Sequence, residues 1–119
     1  MEVKGVMHVH SSYSDGEFSL SELKDFFKSK NYSFLILSEH IEDIRKNNTL
    51  KKFIKECEIL SDDSFLLIPG FEFSIDGGLH ILGLGIEKDI NYTSTADLIL
   101  KINKRNGISA VSYTHLTLP

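Results

Sequence analysis

Continuous apolar segments alternate with amphipathic segments along the first 110 residues, and this alternation restricts the fold more than any other property of the sequence. The run 34–37 is apolar throughout, as expected of a strand buried on both faces of a parallel sheet. Apolar residues between Leu50 and Leu60 instead recur at helical spacing. We predict strands over 3–10, 33–38, 65–73, 79–86 and from 108, and helices over 20–30, over 50–60 and after Ser94. The order β-α-β-α-β-β-α-β is typical of a parallel α/β sheet or barrel.

Composition and charge exclude several classes of protein. The net charge is −4, and no basic cluster marks a nucleic-acid-binding surface. No apolar run approaches the ~20 residues of a membrane span. Cys57 is the only cysteine, so no internal disulfide can form, and its helical position predicts a core residue. A chain without disulfides fits a reducing compartment, and we expect a cytoplasmic protein.

Side chains that can bind metals gather at the predicted strand ends. His8 and His10 close the first strand, and His40 follows the second. Residues two apart on a strand point to the same face, so His8 and His10 can converge on one metal. Glu72 lies near the end of the third strand among apolar neighbours, where a carboxylate must be paired, coordinated or neutralised. In parallel α/β folds, the C-terminal ends of strands carry the chemistry.

Each of these elements also has a plain structural interpretation. His8 and His10 could be hydrogen-bonded strand histidines, and Asp15 could be a turn aspartate. His40 could stand at the start of a helix, and Glu72 could point outward past the rim of the sheet. The choice between a site and ordinary structural residues therefore depends on the whole set.

The segment between the third and fourth strands predicts a β-hairpin, because it is too short for a crossover helix. A three-residue loop, Asp76-Gly77-Gly78, would pair Ser74 with His80. Glu72 would then lie diagonal to His80 on the same face. A two-residue loop would reverse the parity and separate the two side chains, and we predict the three-residue register. Pro69-Gly70 also predicts a bulge that re-aims Glu72.

The ordered set of motifs resembles the PHP family of metal-dependent phosphoesterases, named for polymerase and histidinol phosphatase. Four motifs, spread over residues 1 to about 110, carry the resemblance: His8-x-His10-Ser11-x-x-Ser14-Asp15-Gly16, Ser38-Glu39-His40, Pro69-Gly70-x-Glu72 and His80-x-Leu82-Gly83. The first motif is quite specific, and the ordered set is very specific. The resemblance implies an α/β fold, a distorted (β/α)7 TIM-like barrel of which this chain would form about the first half.

The resemblance also implies a cluster of up to three divalent metals at the C-terminal face of the barrel. Nitrogen and oxygen ligands suit Zn, Mn or Fe. The resemblance implies that His8, His10 and Glu72 hold the first metal. Glu72 would bridge to the second metal, which His80 also holds. Asp15 and His40 would hold the third metal. Water activated by the metals would be the nucleophile, so no protein nucleophile is required.

The leading functional hypothesis is hydrolysis of a phosphoester, either a small phosphomonoester such as histidinol phosphate or a nucleotide. The alternative is a PHP domain that serves a DNA polymerase as a structural or proofreading module, and only this alternative adds nucleic acid as a partner. Hydrolysis of C–N bonds by a related metal barrel uses similar ligands and stays open as a third hypothesis. None of these hypotheses involves a membrane.

Two ligand motifs of the family are missing. A His-Pro dipeptide would follow the strand at 108–111, where the chain reads Ser112-Tyr113-Thr114-His115, and an Asp-x-His pair would lie near the family's C-terminus. Residues 111–119 resemble a translated sequencing adapter, because they lack the Lys, Ile and Asn that are frequent elsewhere in the chain. We therefore expect residues 1–110 to be the N-terminal part of a PHP domain and residues 111–119 to be a non-native tail. We expect His115 not to be a ligand, and the truncated enzyme to have little or no phosphatase activity.

Overall fold

The computed structural model describes residues 2–75 and 78–113, which contain strands and helices in mixed order. In chain order these are β1 Gly5–Val9, α1 Leu20–Ser29, β2 Phe34–Leu37, β3 Glu39–His40, α2 Ile41–Asn47, α3 Leu50–Leu60, β4 Leu66–Ile68, β5 Gly70–Ser74, β6 Leu79–Leu84, α4 Thr95–Lys104 and β7 Ile108–Tyr113. The elements form a mixed α/β structure.

The strands form two sheets. In the first sheet, β2 lies between β1 and β4, and both pairings are parallel. The second sheet has the order β3-β5-β6-β7, in which β3 and β5 are parallel and the other two pairings are antiparallel. Residues 2–75 and 78–113 contain no closed barrel, so the truncated (β/α)7 barrel stays a prediction.

The strand predicted over 65–73 is divided at Pro69, and the chain passes there from the first sheet to the second. Proline has no N–H to donate to a ladder, which accounts for the break. The structure therefore has a change of sheet where the sequence predicts a bulge. Gly70 allows the next strand to begin, because a Cβ there would lie 2.5 Å from the carbonyl oxygen of Leu37.

Helices α1, α3 and α4 confirm the three predicted helices, whereas α2 has no counterpart among them. Helix α1 begins at a capping box, in which Ser19 and Glu22 bond to each other's backbone N–H. Ser94 caps α4 by accepting a hydrogen bond from the N–H of Asp97. Helix α2 has only seven residues and follows β3 directly, with His40 as its N-cap residue.

The core lies between the sheets and the inner faces of the helices. Phe53 of α3 makes edge-to-face contact with Phe71 of β5, and both side chains are fully buried. Cys57 is also buried, as predicted, and this burial raises the pKa of its thiol to about 12. Among the helices of the described residues, none has both the length and the apolar character needed to cross a membrane.

Strand β7 extends past the predicted domain boundary at residue 110. Its last residues pair with β6, so that Val111 lies opposite Ile81 and Ser112 opposite His80. The ordered strand thus ends later than the boundary that composition indicates. The non-native origin of residues 111–119 stays a prediction, and His115 lies outside the described residues.

Candidate metal centre

Glu72 lies at the centre of a cluster of imidazole rings. Its side chain is 1% exposed, and its Oε2 lies 3.1 Å from Nε2 of His8 and 3.2 Å from Nδ1 of His80. Its Oε1 lies 3.1 Å from Nδ1 of His40 and 3.5 Å from Nε2 of His10. The four histidines predicted as metal ligands therefore surround one buried carboxylate.

The end of β1 supplies two of these histidines. The rings of His8 and His10 lie on the same side of the chain, with centroids 5.1 Å apart, as the spacing of two predicts. The pairing of β1 with β2 changes register between Val6 and Val9. This irregularity covers Met7 and His8, and bulges re-aim side chains next to active sites.

Strand pairing places the other two histidines beside Glu72. His40 is the direct neighbour of Glu72 in the parallel register of β3 and β5. In the β5–β6 hairpin, Ser74 pairs with His80 and Glu72 pairs with Leu82. Glu72 is thus diagonal to His80, and the predicted hairpin register is confirmed. Asp76 and Gly77 of the predicted loop lie outside the described residues.

Asp15 reaches the cluster from the loop that follows β1. Its Oδ2 lies 3.1 Å from Nε2 of His40, and its Oδ1 lies 3.6 Å from Nδ1 of His10. The loop turns back tightly at Gly16, where a Cβ would lie 2.2 Å from the carbonyl oxygen of His10. With Asp15 in place, all six residues predicted as metal ligands lie on one face of the molecule.

These donors fit a divalent cation. Two groups each offer ligand atoms within 4.8 Å of one another: His8, His10 and Glu72, and His10, Asp15 and His40. Within the described part of the chain, the buried atoms Oε2 of Glu72 and Nδ1 of His10 lie close to other polar atoms but form no hydrogen bond of good geometry. Imidazole nitrogen and carboxylate oxygen are ligands that Zn, Mn and Fe accept. The arrangement can therefore hold a metal, although nothing in it selects one metal over another.

His10 belongs to both groups. Burial lowers the pKa of its imidazole, and the nearby His40 lowers it further, whereas Glu72 and Asp15 act in the opposite direction. The net lowering favours the neutral ring, which is the form that coordinates metals. A neutral imidazole has one free lone pair, so His10 can serve one of the two groups at a time.

Glu39 is a buried residue of the site for which the sequence analysis gave no role. Its side chain is fully buried, and its carboxylate accepts hydrogen bonds from the hydroxyls of Ser11 and Ser14 and from the N–H of Ser11. Burial raises the pKa of Glu39, and the serine hydrogen bonds oppose that shift. An acidic residue directly after an apolar strand was the available signal, because such a carboxylate needs partners.

One curated protein gives a significant match. The "DNA polymerase/3'-5' exonuclease PolX" of Bacillus subtilis (strain 168) is 31% identical over an alignment of 87 residues, and the match covers 66% of this chain. The chain spans only 15% of the length of that relative. No family model matches the chain. Together with the motifs, the similarity supports a PHP-related family and no finer assignment.

Proposed function

We propose that this chain carries part of the active site of a metal-dependent phosphoester hydrolase, built on a PHP-type (β/α)7 barrel. Residues 1–110 would form about the first half of that barrel. The observation that carries the proposal is the buried carboxylate of Glu72, which has four imidazole nitrogens within 3.5 Å. A buried carboxylate has room for about four donors, but a structural carboxylate needs no imidazoles in particular, and four imidazoles that converge from separate strand ends are typical of a metal site.

The ligands would be divided among up to three metals, with zinc, manganese and iron as candidates. We assign His8, His10 and Glu72 to the first, Glu72 and His80 to the second, and Asp15 and His40 to the third. Metals bound there would lower the pKa of water and neutralise phosphoryl oxygens. The second and third metals have few ligands in this chain, because the His-Pro and Asp-x-His motifs are missing.

The chain's own side chains would hold and orient the reactants. Asp15 is 62% exposed and stands on the open side of the cluster, where a phosphoryl group would approach. Glu72 is enclosed behind the imidazoles and would keep the metals together. Cys57 is buried and its thiol has a raised pKa of about 12, so it is not a candidate nucleophile. This arrangement fits attack by water rather than by a side chain.

The preferred substrate is a small phosphomonoester such as histidinol phosphate, or a nucleotide. The formal charge of −4 and the lack of a basic cluster argue against a nucleic-acid coat on this part of the protein. We further propose a cytoplasmic location, since the single cysteine suits a reducing compartment.

The similarity to a bacterial DNA polymerase and 3'-5' exonuclease favours a second candidate function. In that case the chain would belong to a PHP domain that serves a polymerase as a structural or proofreading module. Its substrate would be the 3' end of a DNA strand, and nucleic acid would be a partner. The same metal ligands would act in both cases, so the ligands do not separate the two functions.

The choice of substrate distinguishes the phosphomonoester hydrolase from the polymerase module. We would express the product of the uninterrupted genomic reading frame that contains residues 1–110, beside the 119-residue chain, with manganese or zinc supplied. Histidinol phosphate, a mononucleotide and a 5'-labelled single-stranded DNA would be offered to both. We expect metal-dependent release of phosphate from a monoester by the longer protein, loss of that activity in E72Q, and little turnover by the 119-residue chain.

Shortening of the DNA from its 3' end, without monoester hydrolysis, would favour the polymerase module. If the longer protein hydrolyses neither class of phosphoester with any of the metals, the proposed function is wrong. Equal activity of E72Q and the unaltered protein would also contradict it.

A further inference from the structure

Three hydrogen bonds join the carboxylate of Glu39 to a single loop far away in sequence. The N–H of Ser11 donates to Oε1 at 2.9 Å, and the hydroxyl of Ser14 donates to the same atom at 2.7 Å. The hydroxyl of Ser11 donates to Oε2. The loop, residues 11–16, carries Asp15, whereas Glu39 immediately precedes His40 on β3. Glu39 thus links the two segments that face each other across the ion pair of Asp15 and His40.

Ser11 organises the rest of the loop. Its carbonyl oxygen accepts from the N–H of Ser14 at 3.0 Å and from the N–H of Gly16 at 2.9 Å. Its hydroxyl oxygen also accepts from the N–H of Tyr13 at 3.1 Å. The path of the loop therefore depends on where Ser11 is held, and Glu39 holds both its N–H and its hydroxyl.

The position of Asp15 is set by the loop, whereas the positions of the other five ligands are not. The other five ligands are strand or strand-end residues, whose places are set by sheet pairing. Asp15 is 62% exposed and lies in the loop between Ser14 and Gly16, whose N–H groups both bond to Ser11. A small movement of the loop would therefore shift Asp15 away from His40 while leaving His8 and Glu72 in place.

We propose that Glu39 is a positioning residue that fixes the loop carrying Asp15 and so completes the group His10, Asp15 and His40. The proposal rests on the proposed function, in which Asp15 and His40 of that group hold the third metal. Loss of Glu39 would weaken metal binding at this group and leave the group His8, His10 and Glu72 nearly unchanged. A purely structural role would instead lower the stability of the fold and affect both groups equally.

Two ligand variants separate the groups. H8A removes a ligand of the first group only, and D15N removes a ligand of the second group only. Zinc binding to the full 119-residue chain would be measured by isothermal titration calorimetry in each background. E39L and E39Q would then be added to both backgrounds.

The two Glu39 variants differ in what they keep. Glutamine retains an oxygen that can accept from the N–H of Ser11 and from the hydroxyl of Ser14, whereas leucine retains none. Loss of a residue that orients metal ligands typically weakens affinity by roughly 10–100-fold. In the H8A background we expect E39L to weaken zinc binding at least about tenfold, and E39Q to weaken it less than about threefold. In the D15N background both variants should stay within about threefold of their parent.

Equal weakening in the two backgrounds, or no weakening by E39L in either, would overturn the proposal. If E39L does not fold, S14A replaces it, since this variant removes a single hydroxyl from a half-buried residue. S14A should weaken zinc binding in the H8A background and not in the D15N background, and any other result counts against Glu39.

A metal-free measurement distinguishes failure of this inference from failure of the proposed function. Amide exchange at Ser14 and Gly16 reports whether the loop is held, because both N–H groups bond to Ser11. E39L should speed exchange at both positions at least tenfold in the presence of EDTA, and E39Q should not. Unchanged exchange would overturn the positioning role, whereas faster exchange in a chain that binds no zinc would refute only the proposed function.

Discussion

Replacing Glu72 by glutamine distinguishes a metal ligand from a structural carboxylate. E72Q keeps the shape of the side chain and removes its charge. If Glu72 is a structural group stabilised by its neighbours, the variant should lose stability in every condition. If it is a metal ligand, the variant should be at least as stable as the unaltered chain without metal, and should lose only the stabilisation that metal provides.

The structure sets the expected magnitudes. Glu72 is 1% exposed, and its Oε2 forms no hydrogen bond of good geometry among the described residues. Burying a charge without complete hydrogen bonding costs more than burying a neutral polar group of the same shape. E72Q should therefore leave the metal-free free energy of unfolding unchanged or raise it by about 1 kcal/mol, because glutamine removes the buried charge but keeps a polar group. Zinc at about 100 times its Kd should stabilise the unaltered chain by about 2.7 kcal/mol and E72Q by much less.

Urea unfolding followed by far-UV circular dichroism measures both effects. With a slope of about 1–3 kcal/mol/M, the zinc-induced shift of the midpoint should be on the order of 1 M for the unaltered chain. E42Q is the matched control, since Glu42 is an exposed carboxylate on α2 that bonds weakly to Ser74 at 3.5 Å. A loss of about 2 kcal/mol by E72Q in EDTA, with equal stabilisation of both chains by zinc, would show that Glu72 is a structural carboxylate and not a metal ligand.

Three further outcomes follow from the packing and the site. F53A should lower the free energy of unfolding, measured in urea, by about 3–5 kcal/mol, because Phe53 is fully buried. The control F26A should lower it by only about 0.5 kcal/mol, because Phe26 is 55% exposed. Native Cys57 should react with a thiol reagent at pH 8 at least 100-fold more slowly than the unfolded chain, because burial raises its pKa from 9.0 to about 12; equal rates would mean an open core. G16A should displace the loop that carries Asp15 and weaken zinc binding in calorimetry, and unchanged affinity would contradict the tight turn at Gly16.

Part of the site could be predicted from local sequence rules that decide on which face of a strand a side chain lies. The spacing of two in His8-x-His10 sets a common face, and the length of the hairpin loop sets whether Glu72 and His80 share one. Both predictions are confirmed by the contacts with Glu72. The convergence of His40 depended instead on the general rule that parallel strands gather their ends, and β3 and β5 satisfy it.

The elements that escaped prediction are short or non-local. Strand β3 has two residues, Glu39 and His40, too few to show a period. The seven-residue α2 follows it, and the side chain of its N-cap residue His40 makes no capping hydrogen bond. The predicted strand over 65–73 is divided at Pro69 between two sheets. This division depends on the backbone of Leu37 that lies beside Gly70, and a local sequence pattern does not show such a neighbour. The hydrogen bond between Glu39 and Ser11 joins residues 28 positions apart, so the sequence motifs contain both residues but do not show that they are in contact.

Metal content shows whether the cluster around Glu72 is a metal site. The 119-residue chain would be stripped with EDTA, dialysed against zinc or manganese, and analysed for metal and protein in the same sample, beside E72Q and E42Q. We expect at least one metal per chain for the unaltered protein and for E42Q, with loss of that metal in E72Q. A metal content no higher than in the EDTA-treated sample, or the same content in E72Q, would contradict this expectation.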